Sequence, residues 1–383
     1  MPDFLEFFAG GGMARAGLGP NWTCRFANDF DARKCASYRA NWGAGELFEA
    51  DVGALQPADI KTPRANLAWA SFPCQDLSLA GARAGLGGAR SGSFYPFWSL
   101  IEKLARERRA PDLIVLENVK GALTSHGGAD FTALCACLSR AGYAFGAVIV
   151  DAALFAPQSR PRLFVIGVRE HLRLPQCLAA AAPSGWHPPA VRQAHAALPP
   201  ALQRRFIWLS MPEPAPQAAR LKDILEDDGE VRWRSDAETD ALLSLMNETN
   251  RQRLAAARGA AEGGAPVVGC AYRRTRLEAD GVRRQRAEAR FDGLAGCLRT
   301  PSGGSSRQFI LAVEKQRVRS RLITARETAR LMGLPDSYIL PQNYNDAYHL
   351  TGDGLAVPVV RHIAQHILEP ILAHQAQPAE AAE

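Results

Sequence analysis

Apolar and polar positions along this chain repeat with two different periods. Short apolar runs at residues 4–8, 23–27, 67–70, 113–116, 144–150 and 163–168 have strand length and are bounded by glycine, proline or polar clusters. Between them the helical spacing of apolar residues predicts helices over 13–17, 32–41, 97–108 and 131–141. Strand and helix in alternation over about the first 170 residues predict an α/β fold with a doubly wound, mostly parallel sheet. The last two strands are joined without a helix pattern, so they are expected to pair antiparallel at one edge.

Beyond Arg169 the periodicity weakens. The runs AAAAPSGWHPP, LPPALQ and MPEPAPQ interrupt it up to about residue 290 and mark a second, smaller and irregular module. Helical spacing returns at 324–332, where Thr324 and Glu327 stand at capping-box distance, and again at 359–373. The expected division is one domain of residues 1–172 and 345–383 and another of 173–344. The tail HQAQPAEAAE should fray, and no internal repeat is present.

Composition narrows the class of protein. With 383 residues, 47% hydrophobic and 22% charged, the chain can bury a sizeable core, and disorder is not expected. It has no apolar run of roughly 18 residues or more, and its start, MPDFLEFFAGGG, lacks the basic region and cleavage site of a signal peptide. A cytoplasmic protein without a membrane partner is expected. Eight scattered cysteines without C-x-x-C spacing fit free thiols in a reducing compartment and no metal site. The net charge of +6 favours a polyanionic partner, nucleic acid before others.

The candidate chemistry sits where predicted strands end. Phe8-Ala9-Gly10-Gly11-Gly12 follows the first strand and opens a helix, a turn that lets backbone approach a ligand closely. Such turns serve NAD, FAD and S-adenosylmethionine alike. Asn28-Asp29-Phe30-Asp31 ends the second strand, where a carboxylate can accept from ribose hydroxyls, and Asp51 ends a third, within reach of an adenine. Cys74 lies on the loop Ser71-Phe72-Pro73-Cys74-Gln75 beyond the fourth strand. Glu117-Asn118-Val119 ends the next, where a carboxyl can be desolvated and held protonated. Gln158-Ser159-Arg160-Pro161-Arg162 places two guanidiniums in the turn between the last two strands.

In this order the segments resemble the DNA cytosine-C5 methyltransferase family, from residue 4 to about residue 366 with a gap in the middle. Phe8 to Gly12 resembles the family's F-x-G-x-G turn, Pro73-Cys74-Gln75 its P-C-Q nucleophile loop, Glu117-Asn118-Val119 its E-N-V, and Gln158 to Arg162 its Q-x-R-x-R. Arg321-Leu322-Ile323-Thr324-Ala325-Arg326-Glu327 with Arg330-Leu331-Met332-Gly333-Leu334-Pro335-Asp336 resembles R-x-x-T-x-x-E…R-L-x-G-x-P-D, and Gly352 to Val359 the final motif. Asp29 stands where the family more often has Glu, Asp353 where it has Asn, and Arg90 to Ser93 only loosely matches its arginine-glycine-threonine segment.

The resemblance implies the fold of S-adenosylmethionine-dependent methyltransferases with a target-recognition domain, and a methyl transfer to C5 of a flipped cytosine in duplex DNA. The implied catalytic residues are Cys74, Glu117, Asn118, Arg160 and Arg162. The implied contacts to S-adenosyl-L-methionine are Phe8, Ala9, Gly10, Gly12, Asp29, Phe30, Asp51, Val52, Phe72, Pro73, Ser93 and Asp353. DNA contacts are implied at Gln75, Ser78, Gln158, Arg299, Ser302, Ser305 and Arg307, and the arginine-rich stretch Tyr272 to Arg290 fits phosphates. It also implies a monomer at the bacterial nucleoid, in a restriction-modification system whose cognate endonuclease acts separately. A transfer-RNA cytosine-C5 methyltransferase of the same fold and a non-catalytic DNA-binding regulator remain open. A nicotinamide-dependent oxidoreductase, raised by the glycine turn, leaves Pro73-Cys74-Gln75 without a role.

Overall fold

Strands buried on both faces need no alternation, and the continuous apolar runs of the N-terminal half are buried in this way. The computed structural model describes residues 1–73, 93–217, 219–278, 280–299 and 306–375. It divides into two compact units, the first of residues 1–151, 161–214 and 359–383, the second of 152–160 and 215–358. No helix among the described residues is long and apolar enough to cross a membrane.

The first unit runs β1 (Asp3–Phe7), α1 (Met13–Leu18), β2 (Thr23–Asp29), α2 (Ala32–Trp42), β3 (Leu47–Glu49), β4 (Leu67–Ala70), α3 (Phe94–Arg106), β5 (Leu113–Val119), α4 (Ala129–Arg140), β6 (Tyr143–Asp151) and β7 (Pro161–Arg169). Two short helices, α5 (Pro189–Ala196) and α6 (Pro200–Gln203), follow. The seven strands are ordered β3-β2-β1-β4-β5-β7-β6. All pair parallel except β7, which is antiparallel to both β5 and β6, as a connection without a helix requires. Every residue of β4 is buried, as are the first six of β5. The apolar face of α3 (Phe94, Phe97, Trp98, Ile101 and Leu104) packs onto this sheet, with the Phe97 and Phe7 rings 4.9 Å apart. Burial of each such aromatic contributes roughly 1.5–3 kcal/mol.

The second unit contains α7 (Asp236–Ser244), α8 (Glu248–Ala261), β8 (Val267–Leu277), β9 (Arg283–Arg290), β10 (Phe309–Glu314), β11 (Arg317–Leu322), α9 (Ala325–Leu331) and α10 (Tyr344–Asp353). Its four strands form an antiparallel sheet ordered β11-β10-β8-β9. Leu242, Met246 and Leu254 from the helices meet Ala271, Ala287, Phe309, Leu311 and Val313 from the sheet. The irregular region expected from sequence is therefore ordered. Its strands escape the period-2 rule because β8 and β9 carry arginines on both faces beyond Ala271. The expected C-terminal helix is interrupted: α11 (Val357–Ile363) and α12 (Glu369–Gln375) are joined by a π turn at Ala364–Leu368.

The segment from Arg321 to Glu327 has an architectural role. Thr324 caps α9 by accepting from the Glu327 N–H at 3.1 Å, and the Glu327 carboxylate accepts from the Thr324 N–H at 2.9 Å. The same carboxylate takes both Nη atoms of Arg321, at 2.8 and 2.6 Å, in a pair with almost no solvent exposure. A lone buried charge is costly, so removing one partner of such a pair destabilises by about 3–5 kcal/mol. Glu327→Ala is expected to lower the unfolding free energy by about that amount in urea titration, and a loss under about 1 kcal/mol would contradict this role.

Glu6 is buried within β1, and one carboxylate oxygen accepts from the Arg15 N–H at 3.4 Å. Burial raises its pKa from 4.5 to about 8, so the folded chain holds a proton that the unfolded chain releases near pH 4.5. Stability from this group is fully present below about pH 4.5 and is lost as pH rises through about 8. Glu6→Gln should flatten that decline and be more stable than the parent at pH 8. Urea midpoints from pH 5 to 8 check this, and parallel profiles for the two proteins would overturn it.

Candidate active site

Parallel pairing in register brings four strands of the first unit to a common edge. Phe7 of β1 lies opposite Asn28 of β2 and Ala70 of β4, and Ala70 lies opposite Leu116 of β5. The segments that follow these strands leave the sheet from its carboxyl edge, where ligands of doubly wound folds bind.

The glycine turn is held from two sides. The Asp29 carboxylate accepts from the Gly10 N–H at 2.8 Å and from the Asp31 N–H at 2.9 Å. The Trp42 indole donates to the Gly11 carbonyl at 3.0 Å. Phe8, Gly10 and Gly12 all have positive φ, 58°, 56° and 78°. At Gly10 an added Cβ would meet open space, whereas at Gly12 it would fall 2.4 Å from Trp42 Nε1. Gly12 is thus required for packing, and Gly10 leaves its backbone uncovered toward the cleft. Ala9 is buried beside them, its N–H donating to the Asn28 carbonyl at 2.9 Å.

Phe30, directly after Asp29, is 68% exposed, its ring free to meet a ligand. The exposed Asp51 accepts from the Gly53 N–H at 2.7 Å, and Val52 is buried beneath it. Ser93 is the half-buried N-cap position of α3.

The loop after β4 is tied to β5. Asn118 donates from Nδ2 to the Phe72 carbonyl at 3.1 Å, while its own Oδ1 accepts from the Val119 N–H at 2.8 Å. Phe72 is buried against Phe94, with Phe8 within aromatic contact, and Pro73 is exposed. The neighbouring Glu117, 8% exposed, pairs with Arg162 of β7, Nε to Oε1 at 3.1 Å. The guanidinium supplies the counter-charge and fixes the carboxyl plane.

Arg160 and Arg162 part company, although sequence placed both at one rim. The Arg160 side chain is 2% exposed in the second unit and donates to the carbonyls of Leu298 (3.2 Å), Gly352 (2.9 Å) and Gly354 (2.7 Å). Gln158 is fully buried there too: its amide donates to the Leu331 carbonyl at 3.1 Å and accepts from the Leu298 N–H at 3.2 Å. Arg160 also donates to Cys297 Sγ and Gln158 to Met332 Sδ, each at 3.3 Å, so both side chains are engaged within the second unit. Asp353 is exposed at the end of α10, and Arg299 is exposed. Arg307 is half-buried, bonded to Asn345, with its guanidinium 5.6 Å from the Tyr344 ring centre. Cys74, Gln75, Ser78, Ser302 and Ser305 lie outside the described residues.

The model of the C-5 cytosine-specific DNA methylase family matches residues 3–369. The chain belongs to this family. It is similar over 371 residues, at 26% identity, to the Type II methyltransferase M.NlaX of Neisseria lactamica, with 96% of each chain covered. It is similar at 25% identity to M.HpaII of Haemophilus parainfluenzae, covering 96% of this chain and 89% of that one. Among solved structures, the S. pombe Dnmt2 methyltransferase superposes with a TM-score of 0.58 at 17% identity, covering 98% of this chain and all of that one. That last likeness concerns the fold.

Sequence reasoning about this DNA methylase missed Trp42, which clamps the glycine turn from 31 positions away, and the buried acid Glu6. Trp42 carries no local signal, since its partner is a backbone carbonyl brought close by folding. Glu6 does carry one, a lone acid in the apolar run FLEFF. Gly12→Ala, which combines a positive φ with overlap on Trp42, should destabilise the methylase by about 1–3 kcal/mol in urea titration. An unchanged midpoint would mean that the turn relaxes without cost.

Proposed function

We propose that this DNA methylase transfers a methyl group from S-adenosylmethionine to C5 of a cytosine flipped out of duplex DNA, through a covalent bond from Cys74 to C6. The observation that carries the reading is the pairing of Glu117 with Arg162 beside the loop that Asn118 ties down at Phe72, two residues before Cys74.

The cleft residues fit a nucleoside-bearing methyl donor. Exposed Phe30 offers a stacking face, Gly10 an uncovered backbone, and Asp29 and Asp51 carboxylates for ribose and adenine. Phe8, Ala9, Gly12, Val52, Phe72, Pro73 and Ser93 complete this surface in the proposal. When bound, S-adenosylmethionine supplies an electrophilic methyl group on a sulfonium.

C5 of cytosine is a poor nucleophile until charge is placed on the ring. The Cys74 thiolate adds to C6, and a free thiol with pKa near about 8.5 is only partly ionised at neutral pH, so its surroundings must favour the anion. Glu117, entering as the neutral acid, gives its proton to N3 as the ring gains electrons, and Arg162 orients it and balances the carboxylate left behind until the proton returns. C5, now enamine-like, takes up the methyl group. A base removes the C5 proton, and the C6–S bond breaks to return the Cys74 thiolate. Gln158 and Arg160 serve as positioning residues that hold the backbone at 298, 331, 352 and 354.

Flipping costs a few kcal/mol, which contacts to the flanking DNA offset. Gln75, Ser78, Arg299, Ser302, Ser305 and Arg307 are assigned to that task, and residues 215–358 to target recognition. The enzyme acts as a monomer in the bacterial cytoplasm, alongside a separate cognate endonuclease.

Cys74→Ser is expected to abolish methyl transfer to DNA by at least about a thousandfold while binding S-adenosylmethionine normally in calorimetry. Duplex DNA containing 5-fluorocytosine should trap a denaturation-resistant adduct with the parent protein and none with the variant. Parental turnover by Cys74→Ser, or methylation of transfer RNA in place of DNA, would sink the reading.

A further inference from the structure

Beyond Ala271, β8 no longer pairs with β10, and it continues with β9 as a two-stranded ribbon. Cross-strand partners in an antiparallel pair share a face. One face therefore carries Tyr272 with Glu288, Arg274 with Arg286, and Arg276 with Arg284. The other carries Arg273 with Ala287, Thr275 with Gln285, and Leu277 with Arg283.

The two faces treat their arginines differently. On the first, Arg276 binds Glu288 at 2.5 Å, Arg286 binds Glu278 at 2.6 Å and Arg284 binds Asp280 at 2.6 Å. These guanidiniums are committed, and their carboxylates would repel a phosphate. On the second, Arg273, Thr275 and Gln285 are all exposed, and Arg273 has no carboxylate partner among the described residues. This second face forms one wall of an open cavity of about 1130 Å³ within the second unit. Arg232, Arg234 and Arg307 are also in its lining, and Glu238 is the one acid there. The cavity is floored by Phe309, whose ring centre lies 5.7 Å from the Arg273 guanidinium and 5.2 Å from that of Arg234.

We propose that this second face is the base-reading surface of the methylase, with Arg273 and Gln285 as the specificity-determining residues. The proposal rests on the reading of the chain as a duplex-DNA methyltransferase and names which residues choose the target. The major groove admits a two-stranded ribbon, and base edges there present distinct donor and acceptor patterns. An arginine fork matches the O6 and N7 of guanine, and a glutamine amide matches the N6 and N7 of adenine. Thr275, opposite Gln285, adds a methyl and a hydroxyl suited to an adjacent pair. Phosphate binding alone would need neither the amide nor the hydroxyl. Arg232 and Arg307 take the flanking phosphates, and the ion pairs of the first face stiffen the ribbon so that the reading side chains are presented at low entropic cost.

The test begins with the parent protein, whose methylated motif is found by bisulfite sequencing of a plasmid library. Arg273→Ala and Gln285→Ala are then compared on that motif and on every single-base variant of it. Each should lower kcat/KM on the parental motif by roughly 5- to 150-fold and relax the requirement at one base pair, with S-adenosylmethionine binding unchanged. Arg273→Lys, which keeps the charge without the fork, should loosen the same position while holding DNA affinity, and it guards against misfolding of the alanine variant. Arg232→Ala should weaken all sequences alike and reduce the slope of log affinity against log salt by about 1. If both reading variants methylate the parental motif as stringently as the parent, or lose affinity evenly across all sequences, the assignment is overturned while the methyltransferase reading stands. A parent that methylates no DNA would overturn both.

Discussion

The in-register ending of β1, β2, β4 and β5 is the constraint on which the candidate site depends. These strands are far apart in the chain, yet parallel pairing aligns the carboxyl ends of β1, β2 and β4 within a residue of one another, and β5 continues from Leu116, opposite Ala70, to Val119. A glycine turn, an acid on the second strand, a cysteine loop and a glutamate are useful together only because one sheet edge collects them. The buried runs of β4 and β5 hold that register, since a slip would carry core residues into the cleft.

Upon that edge, a few hydrogen bonds convert proximity into position. Asp29 braces the glycine turn through the Gly10 N–H, and Trp42 fixes it through the Gly11 carbonyl. Asn118 reaches from β5 to the Phe72 carbonyl and so anchors the entrance to the cysteine loop. Arg162 reaches from the reversed strand β7 to Glu117. The reversal matters because it brings the start of β7, where Arg162 lies, beside the end of β5.

Other motif residues brace the scaffold. Arg321, Thr324 and Glu327 form a capped helix start welded to β11 by a buried ion pair. Arg330 pairs with Asp336 through two of its guanidinium nitrogens, Nε and Nη2, at 2.8 Å each, while Gly333 takes a positive φ against Pro358. Gln158 and Arg160 bind the backbone carbonyls of Leu331 at the end of α9, of Leu298, and of Gly352 in α10. A spaced pattern of charged residues thus has two physical origins, and spacing alone does not separate them.

Much of the first unit was legible in the sequence because strands buried on both faces leave continuous apolar runs, and amphipathic helices leave a 3.6-residue period. The family and its methyl-transfer chemistry are marked by residues such as Phe8 to Gly12, Pro73 to Gln75 and Glu117 to Val119, whose local spacing survives in one dimension, whereas the order of the strands is a property of the folded sheet. In the second unit the capped helix α9 was legible, but the ribbon was not, since β8 and β9 expose arginine on both faces and bury only the small residues Gly269, Cys270, Ala271, Ala287 and Ala289, so no periodicity marks them. Only the tertiary structure decided that Arg160 turns inward while Arg162 meets Glu117, and that Arg276, Arg284 and Arg286 of the ribbon are ion-paired on one face while Arg273 stands exposed on the other. Side-chain partners across long separations depend on how strands stack and twist, and a linear pattern carries the residue types without the distances between them.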